Sequence, residues 1–542
     1  MASRRPRESN LELLRVLCIL SIVADHFVGQ SGIASFSNPW SSLFFSTLTS
    51  CSRLSCSVFI IISAWFMVDG AFYFRRIASA WLTVLAYTVP LIAFMYVHVQ
   101  VDTSEVIRCL LPVEGCPLWF VGTYIVLMLF SPGINFILQN AERRAIEVVL
   151  AVFGVLMVAF STITARLGFF VNDFWPLFFV YLLTGYLKKH VCIDQIRQVR
   201  WGVVFVLGWL VLTVSRALVG YYGGQGFGGS FLPTAWSYLE FYRARMQTVP
   251  NLVLAYALFF SFFFTRIPPS KVVNGVAASV LGVYCLHQVP VWYDYLWKNI
   301  CNVPYFMGKY GGLGRAIYVL VMIFLIGAIA VVIDFLRRCI MSYCLEKRVW
   351  YINACKAIDD AVAGRAHLSR RCGLTLLILV VAYFLMVAVL QVTGLPELPR
   401  DYSDVSCRMS NVFAVGFSTP EQTHVWTSSE TAMLKFERTR FEDGDKLRFT
   451  AKVFPFLPAG RVNVQRMNVI CNGTRVASTA LRNDEIVNIE FSFVAHPNAD
   501  GDIELLLELP DSVSPADLGL GSDDRKLAVA FKSISLKTAV SD

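Results

Sequence analysis

Arg15 and His26 stand eleven residues apart within one apolar run near the start of a 542-residue chain. At about 3.6 residues per turn that spacing is close to three full turns, and at about 1.5 Å per residue it separates the pair by roughly 16 Å along a helix. The two side chains therefore share a face, the cation near one end and the imidazole deeper in. Ionisable groups in a membrane span are costly unless they face a polar interior, so such a pair marks a functional candidate. The arrangement suits an anionic donor held at the Arg15 end and proton transfer at His26, since a neutral imidazole can accept the proton of an attacking hydroxyl. A snorkelling Arg15 with a packed His26 is the alternative. Asp25 adjoins His26 but points about 100° away on a helix. His287 is the other histidine well inside an apolar stretch; it either lines the same cavity or sits satisfied in the core. Ser63 can bond its own helix backbone or act as a nucleophile. No Ser-centred elbow accompanies it.

The elements that must position these residues are membrane helices. Hydrophobic residues make up 56% of the chain, aromatic residues 14% and charged residues only 16%, which does not fit a water-soluble surface. Runs of about 20 apolar residues, the length that crosses a bilayer, number roughly eleven. They lie near 11–30, 42–68, 78–99, 118–138, 145–164, 170–187, 201–219, 249–265, 273–293, 314–336 and 373–394. The first carries Arg15 and His26 and lacks a small-residue cleavage site, so it reads as a retained helix rather than a secretory signal. Threaded from a cytoplasmic N-terminus, the spans put Arg75/Arg76, Arg143/Arg144, Lys188/Lys189, Arg197/Arg200, Arg266/Lys271 and the stretch from Arg337 to Arg371 inside. This obeys the positive-inside rule. The net charge of +9 then reflects topology, and no nucleic-acid partner is expected. The fourteen cysteines follow no metal-ligand spacing, and no metal site is expected. Cys109 with Cys116, and Cys407 with Cys471, face an oxidising compartment in this topology, where each pair can close.

After Leu395 to Pro399 the composition turns mixed-charge, which marks a domain boundary. Lys446 to Phe454, Val462 to Ile470, Ile486 to Val494, Ile503 to Leu509 and Leu527 to Ile534 alternate apolar and polar residues between turn formers. They predict a β-sandwich, placed outside by the odd number of spans. The expected fold is thus an all-α polytopic membrane domain of about eleven helices followed by an extracytoplasmic β-sandwich. Its parts are 1–336, a basic cytoplasmic connector at 337–372, a last span at 373–394, and the sandwich at 395–542.

Asn10-x-Glu12-Leu-Leu-Arg15, ten residues, then His26 resembles the opening Arg-x10-His motif of the acyltransferase-3 family of membrane proteins. Further pieces follow in order: Val58-Phe-Ile-Ile-Ile-Ser63 with Phe66; Phe72-Tyr-Phe-Arg75-Arg76; Trp119-Phe120 with Tyr124 and Pro132; Gly185-Tyr186; and Tyr284-Cys-Leu-His287. Two positions depart from the pattern. Ala64 replaces the usual Gly, and Pro117-Leu118 precede Trp119 where many members have His. The resemblance implies acyl-CoA, with acetyl favoured, as a cytoplasmic donor substrate and no permanently bound cofactor. It implies a hydroxyl of a cell-surface or lipid-linked glycan as acceptor. His26 becomes the base, and Arg15 a donor-site or orienting group. Arg75 and Arg76 match CoA phosphates as guanidinium forks, or serve only as topology anchors. Ser63, Trp119, Tyr124 and Tyr284 fall to the substrate side, and His287 to the catalytic centre.

The tail resembles a β-sandwich module of bacterial surface-glycan enzymes, through Gly416-Phe-Ser-Thr-Pro-Glu421 with Trp426, Asn472-Gly473, and Ser514-Pro-x-x-Leu518-Gly519 with Asp524-Arg525. Trp426 is then a stacking platform for sugar, or a core residue of a rigid spacer. A transporter or exporter of a glycan precursor is the competing function, since intramembrane Arg and His also mark transport routes. The chain lacks the evident internal repeat common in such carriers.

Overall fold

The structure is a computed structural model. It describes residues 8–31, 38–98, 103–115, 117–224, 230–303, 306, 310–364, 370–394, 402, 405–406, 412–418, 421, 424–437, 439–458, 460–498, 500–521 and 523–539. The chain forms two compact units, Met1–Gly394 and Leu395–Asp542. Cys116 and Cys407 lie outside the described residues, and with them both expected cysteine pairings.

The first unit is helical. Helix α1 spans Ser9–Ser31, α2 Pro39–Thr49, α3 Ser52–Met67 and α4 Phe74–His98. Asn38 starts α2 with a capping box to Ser41, followed by Pro39 in the first turn, where a missing N–H costs nothing. Six described helices are long and apolar enough to cross a membrane: Pro39–Met67, Phe74–Val97, Trp119–Asn140, Arg143–Thr164, Trp201–Gly223 and Gly312–Glu346. Phe231–Ala244 and Val249–Phe263, bent by 41°, make a seventh if they form one span.

Among the described residues, six or seven runs meet this length and composition, against the eleven expected. Helix α1 holds Glu12, Arg15 and Asp25 and falls outside the set. Phe174–His190 has 17 residues and ends in Lys188, Lys189 and His190. The run at 273–293 breaks into Lys271–Ala277, Val280–Gln288 and Pro290–Tyr295; at the second break Pro290 cannot continue the ladder of the helix before it. The last run forms a 24-residue helix, Arg370–Thr393.

The second unit is two antiparallel sheets around one core. Its strands are β1 Val405–Ser406, β2 Phe413–Val415, β3 Val425–Trp426, β4 Thr431–Phe436, β5 Lys446–Pro455, β6 Gln465–Cys471, β7 Thr474–Leu481, β8 Val487–Val494, β9 Ile503–Glu508 and β10 Val529–Thr538. One sheet runs β1-β10-β5-β8 with β3 also on β10, and the other β2-β4-β9-β6-β7. Strand β5 buries every second residue, Leu447, Phe449, Ala451 and Val453, as a half-buried strand must. Asn472 and Gly473, at φ of 49° and 77°, turn β6 into β7, the backbone that a tight hairpin requires. Trp426 is half-buried among Phe454 at 5.2 Å, Phe456 at 5.9 Å and His424 at 5.4 Å between ring centres.

Candidate active site

His26 and His287, 261 residues apart in sequence, meet at 3.0 Å between Nδ1 of the first and Nε2 of the second. His287 is fully buried, and its Nδ1 lies 2.6 Å from the Val283 carbonyl one turn earlier in the Val280–Gln288 helix. A carbonyl only accepts, so His287 Nδ1 must carry the proton, and the Nε2 of the neutral ring must be an acceptor. His26 Nδ1 then donates to it. This fixes the tautomer of His26 and leaves its Nε2 with a lone pair, the state that a general base needs.

Aromatic rings build the wall. Tyr284 stands 6.4 Å from His26 and 6.0 Å from His287 between ring centres, with its hydroxyl bonded to the Phe120 backbone. Phe120 packs edge-on against Tyr284 at 6.3 Å and stacks on Tyr124 at 6.4 Å, and Trp119 adjoins it at 5.8 Å. On the far side Trp297 contacts both Phe27 and His287.

Charge surrounds the same end of α1. Asp25 accepts from Arg243 at 3.0 Å and is bonded to Ser52 at the start of α3. Arg243 also holds Glu240 at 2.9 Å, and Glu240 pairs with Arg216. Next to Ser52 stands Arg53. Its guanidinium lies over the Trp119 ring at 4.4 Å and 3.6 Å from Asp173. Its charge acts on both His26 and Tyr284.

Of the residues singled out from sequence, His26, His287, Tyr284, Tyr124 and Trp119 come together in this cluster. Arg15, Arg75, Arg76 and Ser63 do not: among the described residues no hydrogen bond, ion pair or ring contact joins them to His26. Arg15 pairs with Glu12 at 3.0 Å, Arg75 with Glu346 at 3.0 Å, and Arg76 stacks on Tyr73. Ser63 is half-buried on α3, ten residues and thus about 15 Å along the helix from Arg53. Sequence reasoning missed Arg53, Arg216 and Arg243. The available signal was a lone arginine in each of the apolar runs 42–68 and 201–219.

Among solved structures the chain is similar to dimeric latent PorU from Porphyromonas gingivalis, at 15% identity and TM-score 0.18, over 27% of this chain and 13% of that one. The chain thus spans about an eighth of that protein. It is also similar to the C-terminal domain of EclA, described as a sugar-binding protein, at 16% identity and TM-score 0.15, over 27% and 84% of the two chains. A structure described as "CBM4 structure and function" gives 9% identity and TM-score 0.15, over 25% and 85%. Likeness at such scores carries nothing about function. No curated protein matches the chain. Residues 8–335, more than half of the sequence, match the family described as "Acyltransferase domain" (Acyl_transf_3). They hold every member of the His26 cluster, and the chain belongs to this acyltransferase family, as a membrane enzyme whose helical unit transfers acyl groups.

Proposed function

We propose that the enzyme moves an acyl group, acetyl by preference, from cytoplasmic acyl-CoA to a hydroxyl of a cell-surface or lipid-linked glycan, with His26 as general base. The observation that carries this reading is the bond from His26 to His287, with His287 itself tied to Val283. It is the logic of a base oriented by a third group. The acceptor hydroxyl gives its proton to His26 Nε2 as its oxygen attacks the thioester carbon. The C–S bond then breaks, and His26 returns the proton to the CoA sulfur. Trp119, Tyr124 and Tyr284 offer aromatic faces and hydroxyls to the acceptor.

The donor is held at the other end of α1. Arg15 and Arg75 each have an acidic partner and an accessible guanidinium, and CoA phosphates would compete for them as stronger, bidentate partners. Arg76 belongs to the same end, while Ser63 belongs with Trp119, Tyr124 and Tyr284 on the substrate side. The cytoplasmic N-terminus and the outer β unit, within a multi-pass cell-membrane protein, rest on the basic residues of the inner loops.

Purified protein in lipid discs, given acetyl-CoA and surface glycan, should release CoA thiol and acylate the glycan. His26→Gln should insert normally and bind CoA, yet turn over slower by about 10² or more, the scale of lost acid–base catalysis. Full activity of a well-folded His26→Gln protein would remove His26 from the chemistry.

A further inference from the structure

The mechanism leaves one requirement without a residue. As the hydroxyl oxygen adds to the thioester, negative charge gathers on the carbonyl oxygen, and a donor must already be aimed at that point. The Tyr284 hydroxyl oxygen accepts from the Phe120 backbone N–H, and among the described residues no hydrogen bond joins Ser63 to His26. One cation near the base has a donor to spare. Arg53 Nη1 is buried and has no hydrogen-bond partner. Its nearest acid, Asp173, stands at 3.6 Å, beyond hydrogen-bond reach. A buried, charged N–H donor without an acceptor is costly, and such groups are retained where function uses them.

Position agrees with this. Ser52 and Asp25 are hydrogen-bonded, and Arg53 and His26 are the next residues on their respective helices. That bond pins the first turn of α3 to the level of His26, and the charge of Arg53 acts on the His26 ring. Trp119 lies against the guanidinium at 4.4 Å, which holds the plane of the fork while Nη1 is spared. The side chain as a whole is 28% exposed, and Nη1 is its buried end.

We propose that Arg53 is a catalytic residue of the acyl transfer, its Nη1–H donating to the thioester carbonyl oxygen as that oxygen becomes an oxyanion. The inference rests on the CoA-thioester reading given above. The proton of the acceptor goes to His26 Nε2, the new C–O bond forms, and the oxyanion held by Arg53 collapses as the C–S bond breaks. The CoA thiolate takes the proton from His26. Arg53 exchanges no proton; it supplies a fixed positive fork where charge develops.

The test compares two CoA derivatives on the full-length protein in lipid discs: S-ethyl-CoA, which has no carbonyl, and S-trifluoroacetonyl-CoA, whose hydrated ketone presents a tetrahedral oxygen. The wild type should prefer the ketone by about tenfold or more, as sites built for a tetrahedral state do. Arg53→Gln should erase that preference, leave S-ethyl-CoA affinity unchanged, and lower kcat by about 10² to 10³, the scale of a lost oxyanion donor. Arg53→Lys, which keeps charge without the fork, should fall between and serves if the Gln variant does not fold. A folded variant that keeps the ketone preference overturns the proposal. Equal loss of both ligands assigns Arg53 to holding CoA and also overturns it, as does a change confined to the KM of the acceptor. Failure of the wild type to bind either CoA derivative sinks the donor reading itself, and the inference with it.

Discussion

The Val280–Gln288 helix touches two buried polar clusters of opposite character. At Gly282 it lies against Asp334, which is fully buried on the Gly312–Met341 helix. Both oxygens of that carboxylate are occupied: Tyr87 donates at 3.1 Å and Arg337 at 2.8 Å to Oδ1, and Arg338 at 3.0 Å to Oδ2. Arg338 continues to Ser279 at 2.9 Å. At its other end the same helix carries His287, whose chain of bonds runs to His26 and stops there, near Arg53, whose Nη1 faces Asp173 at 3.6 Å and makes no hydrogen bond. One network is closed and the other open. A closed network fixes helices against each other, since every buried polar atom has its partner. An open one leaves a lone pair and a donor for atoms that arrive with a substrate.

The closed cluster should give the largest effect, and on stability. Asp334→Ala removes the partner of two arginines and a tyrosine, and breaking a buried ion pair costs about 3–5 kcal/mol. Thermal unfolding in detergent should fall accordingly, while turnover per folded molecule changes little. Gly282→Ala should act in the same direction, because a Cβ there would stand 2.1 Å from Asp334 Oδ1. A loss of kcat in folded Asp334→Ala protein as deep as that at His26 would erase the distinction between the clusters.

The open cluster should respond in rate. His287→Leu withdraws the acceptor that fixes the tautomer of His26, and kcat should drop by about 10², with little change in the affinity for CoA. His287→Gln keeps an acceptor oxygen near His26 and should lose less. The comparison sharpens if unfolding midpoints of both variants stay near the wild type, and breaks if turnover follows the midpoint.

Much of this site was legible in the sequence, and the limits have physical causes. The eleven-residue offset from Arg15 to His26 placed them on one face, and the Tyr284-x-x-His287 spacing put ring and imidazole on one helix. Contact between His26 and His287 was beyond periodicity, because local spacing says nothing about which helices pack together. Arg53 was hidden by its neighbours: an apolar run from 42 to 68 averages over a single charge, although that charge was the feature of interest. The same averaging joined 273–293 into one run, since a hydropathy window does not see Ser279 or Pro290 break it into pieces. In the β unit, β5, β6, β8 and β9 follow the two-residue alternation, whereas β10 buries Val529, Ala530 and Phe531 in succession before a register shift at Phe531/Ser533. Strands β1, β2 and β3 have only two or three residues, too few for a period, and β7 is largely exposed, so its pattern carries little apolar contrast.

The smallest effect separates the titration of a histidine from chemistry. His424 in the β unit is half-buried beside Trp426 and lies 3.3 Å from Glu421. Burial holds its pKa below the ordinary value, an effect that the charge of Glu421 offsets only in part. Between that lowered value and about 6.5, the unfolded chain binds more protons at this position than the folded one. Stability therefore declines as the pH falls from about 6.5 toward the folded pKa, and His424 contributes no pH dependence above that window. The β-unit unfolding midpoint, followed through its tryptophan fluorescence from pH 7.5 to 5, should fall by less than the shift expected of Asp334→Ala. His424→Phe keeps the ring contacts with Trp426 and Phe454 and should flatten this part of the profile. It should leave acyl transfer untouched, because His424 lies outside both networks of the helical unit. An unchanged pH profile in His424→Phe would assign the acid sensitivity to another group, and a loss of turnover would show that the β unit takes part in the reaction.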